Sequence, residues 1–133
     1  MYRTSKMVVD HCMFDYCVRG FSDGVYWRGQ DSAGMLMFER CCDNVFAWNS
    51  ATHGGDGVFL FAGLDTVEGA AFKKGEMKAG GSDRNVWWRN DFSYAVANAI
   101  EATFSRDNWA IANALKGSHQ HGVWGGYSSR MSR

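Results

Sequence analysis

Val45-Phe46-Ala47-Trp48-Asn49-Ser50-Ala51-Thr52-His53-Gly54-Gly55-Asp56-Gly57-Val58-Phe59-Leu60-Phe61-Ala62 places two apolar runs on either side of a connection rich in glycine. Val, Phe and Trp suit a pleated, half-buried surface, whereas His53 to Gly57 carries turn chemistry. A connection this short has no room for a crossover helix, so the two runs are expected to pair antiparallel.

The same texture extends in both directions. Further β-type runs stand at 25–28, 35–40, 70–73 and 86–88, with breaks at 31–34, 63–65 and 78–85. The chain contains no proline and 16 glycines, so Gly, Asn and Asp must make its turns. An antiparallel sheet of about five strands is the expectation for the middle of the chain.

Helical patterns flank this region. Thr4 or Ser5 can cap a helix over 5–19 in which Val9, Cys12, Met13, Tyr16 and Cys17 form one stripe and Gly20 supplies the stop. After Asn90 or Asp91, a second stripe runs through Phe92, Val96, Ala99, Ile100, Thr103 and Phe104. Ser105 with Asp107 can start another, with Trp109, Ile111, Ala114 and Leu115 buried before Gly117. The expected fold is therefore α+β: an N-terminal helix, the antiparallel sheet, and one or two C-terminal helices over 91–116 packed on it. Residues 1–117 read as a single globular domain and 118–133 as a Gly/Ser-rich C-terminal tail. No internal repeat stands out.

Fourteen basic and fourteen acidic residues cancel, and no basic block is present, which disfavours nucleic acid as the main partner. The longest uncharged apolar run, 58–64, is too short to cross a bilayer. Residues 1–11 hold too few apolar side chains for a signal peptide, so an intracellular setting is expected, cytoplasmic or organelle interior. In that setting Cys12, Cys17, Cys41 and Cys42 read as reduced, and a domain of this length does not need disulfides.

Several clusters can carry chemistry. Trp87-Trp88-Arg89-Asn90-Asp91 combines aromatic faces with hydrogen-bonding groups, which makes Trp87, Trp88, Arg89 and Asp91 the ligand-binding candidates; in a strand, only one of the two tryptophans faces the core. His53, on a glycine loop without a nucleophile elbow nearby, is the single acid-base candidate. His119 and His121 place two imidazoles on one side of an extended segment, the only metal candidates. The Gly-Lys stretch 69–81 lacks the phosphate-loop pattern. Trp124 and Tyr127 are candidate interface anchors.

No cofactor is implied. Six Trp, five Tyr, nine Phe and seven Met, set against only four Leu, exceed what a core of this size must bury, and such residues concentrate at interfaces. The functional expectation is a non-catalytic binding or assembly protein, a complex subunit or homo-oligomer using aromatic contacts. The alternative is a small carbohydrate-binding protein or hydrolase using Trp87, Trp88 and nearby carboxylates.

Overall fold

In the computed structural model the described residues are 1–18, 32–63, 66, 80–126 and 131–132. The runs at 25–28 and 70–73, the cap at Gly20 and Tyr127 lie outside them, as does most of the Gly-Lys stretch. Nine strands follow one another: β1 Val8–Asp10, β2 Ala33–Phe38, β3 Val45–Ala47, β4 Asp56–Phe61, β5 Val86–Trp88, β6 Ile100–Thr103, β7 Asn108–Ile111, β8 Val123–Gly126 and β9 Met131–Ser132. They form two sheets, β1-β3-β5-β7-β9 and β2-β4-β6-β8, and every pairing is parallel.

This order corrects the α+β expectation. Among the described residues there is no helix, and no antiparallel pair occurs. Strands adjacent in sequence belong to opposite sheets, and each strand pairs with the one two places along. The chain therefore winds as a solenoid whose successive coils carry β1 and β2, β3 and β4, β5 and β6, and β7 and β8. The crossover that a parallel pair requires is supplied by the strand of the other sheet, so the short connection 49–57 turns a corner without reversing the chain.

Both expected helices dissolve for the same reason. Over 5–18 the residues read as one stripe diverge: Val9 packs against the core, whereas Met13 is 76% and Tyr16 72% exposed. Residues 91–116 are divided among a corner, β6 and β7. The segment 118–133 contributes β8 and β9, hydrogen-bonded to β6 and β7.

A repeat underlies the winding. Asn44, Asn85 and Asn108 each stand just before a strand of the first sheet, and Asn49, Asn90 and Asn113 follow five positions later. Asn85 Oδ1 accepts from the Asn44 backbone N–H (3.1 Å) and Nδ2 (2.9 Å), and Asn108 Oδ1 accepts from the same groups of Asn85 (2.8 and 3.0 Å). Asn90 Oδ1 serves Asn49 in this way (both 2.9 Å), and Asn113 Oδ1 serves Asn90 (2.8 and 3.0 Å). The remaining Nδ2 protons reach backbone carbonyls one coil back, as Asn85 does to Cys41 O (2.9 Å) and Asn90 to Phe46 O (3.0 Å). Two amide ladders thus satisfy the backbone where the sheet bends, which a buried corner demands. In the first coil Met7 and Cys12 take the ladder positions and donate only through their backbone N–H groups, to Asn44 and Asn49.

Each ladder asparagine follows a residue in left-handed conformation. Asp43, Arg84 and Asp107 have φ of 61°, 56° and 56°, and Trp48, Arg89 and Ala112 have 57°, 55° and 53°. A third column, Tyr16, His53, Tyr94 and Gly117, has φ between 55° and 63°. Proline, locked near −65°, can occupy none of these sites, and it would remove an N–H from any ladder.

Between the sheets, like residues stack coil on coil. Phe46 and Trp87 from the first sheet stack at 6.3 Å, facing Met35, Val58 and Ile100 and Met37, Leu60 and Ala102 from the second. Burying each large side chain contributes about 1.5–3 kcal/mol.

Candidate functional site

Alternation along the strands of the first sheet sends Val9, Phe46 and Trp87 inward and their neighbours outward. The outer face consequently carries the registered columns Val8, Val45, Val86, Trp109 and Asp10, Ala47, Trp88, Ile111. Much of it is apolar and open: Val8 is 69%, Trp109 44%, Ile111 41% and Trp88 40% exposed.

At the edge of this face the left-handed corner stacks His11, Trp48 and Arg89. The His11 and Trp48 rings lie 6.2 Å apart and nearly parallel, and the Arg89 guanidinium sits 4.9 Å from the centre of Trp48 and 5.5 Å from that of Trp88. Trp48 and Trp88 meet edge to face at 5.6 Å. Beyond the corner lies a shallow depression of about 530 Å³ between Trp48, Ser50, Arg89 and Asp91, with the ladder residues Asn49 and Asn90 at its base.

Of the ligand-binding candidates, the structure brings Trp88, Arg89 and Asp91 to this corner and separates Trp87, which is fully buried with its indole N–H unpartnered among the described residues. Asp91 Oδ1 accepts from the Ser93 N–H at 3.0 Å.

His53 lies in the third left-handed column, its ring 5.0 Å from Tyr16 on one side and 5.0 Å from Tyr94 on the other. Its Nδ1 contacts Thr52 Oγ1 at 2.9 Å. The Thr52 N–H in turn donates to Asp15 Oδ1 (2.7 Å), as does Ser50 Oγ (2.6 Å). Burial pushes the Asp15 carboxyl up, but these hydrogen bonds, aided by His53, outweigh it and hold the group below its ordinary value.

His119 and His121 are both exposed. His119 is anchored through its backbone N–H to Ala95 O, and His121 Nδ1 contacts Asn98 Oδ1 at 3.0 Å. Among the described residues no three His, Cys, Asp or Glu side chains converge as metal ligands. The four cysteines are free thiols, with Cys41 buried and Cys12 and Cys17 exposed; burial raises the Cys42 thiol. Trp124 is half-buried on β8.

Sequence reasoning missed His11 and Trp48 because they meet Arg89 only through coil stacking, across 37 to 41 positions. The signal that locates them is the Asn-x-x-x-x-Asn spacing, which marks the residue before its second asparagine as a corner.

The class defined by this geometry is a two-sheet parallel β-solenoid with asparagine ladders and an apolar lateral face. No protein-family model, curated protein or solved structure matches the chain. No helix among the described residues is long and apolar enough to cross a membrane.

Proposed function

We propose that this chain is a non-catalytic binding or assembly protein that uses the outer face of its first sheet to contact another protein chain. The observation that carries the reading is the strip of exposed apolar residues, Val8, Trp88, Trp109 and Ile111, spread over three coils of one flat sheet. Contiguous apolar surface of this kind favours association, and Trp and Arg are the residues that anchor interfaces. Arg89 at the rim supplies a cation whose guanidinium is already ordered by two tryptophans.

The carbohydrate reading at the same corner has less support. Trp87 is inaccessible, and Trp48 is stacked by His11 and approached by Arg89, so the rings offer little bare face for a sugar.

Size-exclusion chromatography with light scattering tests the assembly reading in its simplest form, self-association. The parent is expected to run as a dimer or larger in the micromolar range, and Trp109→Lys combined with Ile111→Lys to run as a monomer with an unchanged circular dichroism spectrum. A parent that remains monomeric across that range refutes self-association. A double variant that assembles as the parent does refutes the assignment to this face.

A further inference from the structure

The second sheet carries a separate constellation. Asp56, Asn98 and His121 occupy one corner position on successive coils, and Asp56 Oδ1 accepts the Asn98 backbone N–H at 2.7 Å. Asn98 is 4% exposed, and its side chain joins two neighbours: Nδ2 donates to Glu101 Oε2 at 2.7 Å, and Oδ1 faces His121 Nδ1 at 3.0 Å. An amide oxygen only accepts, so this network assigns the proton to His121 Nδ1 and leaves Nε2 of the neutral ring as an acceptor. Around these groups lies a depression of about 260 Å³, closed by Gln120 and the Trp124 indole.

We propose that this depression binds a single ring of a neutral saccharide. The indole offers an apolar face for the C–H side of a pyranose. The Glu101 carboxylate and His121 Nε2 accept from ring hydroxyls, and the Gln120 amide both donates and accepts. Asn98 orients the carboxylate and the imidazole before any ligand arrives, which lowers the ordering cost of binding. The one carboxylate, with no cation lining the depression beside a neutral imidazole, disfavours phosphate and acidic sugars. The volume admits one ring, so an oligosaccharide would place one residue here and run on across the second sheet. This site shares no residue with the lateral face of the first sheet, so it stands or falls independently of the assembly reading.

Calorimetric titration and saturation-transfer NMR against neutral hexoses, N-acetylhexosamines and their short oligosaccharides test the assignment, with inorganic phosphate and tetramethylammonium as contrasting probes. At least one neutral saccharide is expected to bind at millimolar concentration or tighter. Trp124→Ala should weaken it about tenfold, the scale of one lost aromatic contact, while Trp124→Phe keeps most of the affinity. Trp109→Lys should leave it unchanged. Glu101→Gln, close in shape to the parent, should also weaken binding and serves as the decisive variant should Trp124→Ala fail to fold. Binding of no neutral saccharide overturns the proposal. So does undiminished affinity in folded Trp124→Ala or in Glu101→Gln, or tighter binding of tetramethylammonium or phosphate than of any sugar.

Discussion

Asn90→Ala should be among the most damaging single substitutions in this chain. The side chain is 2% exposed and makes four hydrogen bonds: its Oδ1 accepts from the backbone N–H and Nδ2 of Asn49, and its Nδ2 donates to Phe46 O and Asn113 Oδ1. Truncation leaves the Asn49 N–H, one Asn49 Nδ2 proton and the Phe46 carbonyl without these partners, whereas Asn113 Oδ1 retains the Asn90 backbone N–H. At about 1–3 kcal/mol for each buried group left unsatisfied, and allowing for some relaxation, the cost comes to roughly 3–6 kcal/mol. That is a large share of the roughly 5–15 kcal/mol that holds a domain together. Asn113→Ala, half-buried at the end of the same ladder where water can replace the lost acceptor, should cost only about 1–2 kcal/mol. Urea unfolding followed by far-ultraviolet circular dichroism measures both, read as a shift in midpoint at constant slope. A loss below about 1 kcal/mol for Asn90→Ala, or equal losses at the two positions, would refute the argument that the buried ladder holds the corners.

Glycine tolerance should follow the winding. A Cβ at Gly57 would lie 2.5 Å from Ala99 O and 2.7 Å from Phe92 Cβ, whereas at Gly125 nothing lies within 4 Å. Gly57→Ala is therefore expected to lower the melting temperature sharply and Gly125→Ala to leave it nearly unchanged; a reversed order would contradict the coil packing. Ala112, exposed at φ 53°, should gain on replacement by glycine, because a left-handed alanine costs roughly 1–2 kcal/mol and glycine's greater chain entropy removes only part of that gain; a lower melting temperature for Ala112→Gly would count against it. Acid stability should depend on Asp15. Its folded pKa lies below the ordinary 3.8, so its contribution is present above that value and lost as pH falls through the lower folded value. Asp15→Asn should flatten the acid limb of a stability profile below about pH 4, and an unaltered limb would exclude this role.

The strands at 35–40, 45–48, 58–62 and 86–88 were legible because β-branched and aromatic runs between glycines report local geometry, and β2 to β5 include most of those residues. The pairing was not legible. Parallel partners lie a full coil away, 23 residues apart where the coil is shortest and 37 or 41 where it is longer, as the steps from Asn85 to Asn108, Met7 to Asn44 and Asn44 to Asn85 show. Unequal steps hide the repeat from any search at fixed period, although Asn44-Val-Phe-Ala-Trp-Asn49, Asn85-Val-Trp-Trp-Arg-Asn90 and Asn108-Trp-Ala-Ile-Ala-Asn113 align once the ladders are known. At the candidate site, Arg89 and Asp91 were visible as a local cluster, whereas Trp48 joins them only through stacking. Glu101 and Asn98 had no local signal, because their neighbours in sequence suggested a helix.

The false helices show how a solenoid corner imitates one. In a strand, inward positions alternate, but each left-handed residue at 48, 89 or 112 absorbs one position and shifts the alternation. Inward residues then fall at 44, 46, 49 and 51, and again at 85, 87, 90 and 92, giving spacings of two and three that overlap a helical stripe. Alanine at 95, 97 and 99 strengthens the illusion, although Ala95 and Ala99 are small because neighbouring chain packs against them at the turn. What distinguishes the two patterns is the polar residue inside the apolar set. A buried asparagine in a helix has no backbone left to satisfy, whereas at a solenoid corner it takes up the N–H groups and carbonyls that the bend releases. Asn49, Asn90 and Asn113, each in line with its counterpart on the next coil, therefore identify the winding more surely than any apolar period in this chain, and the absence of proline agrees with them.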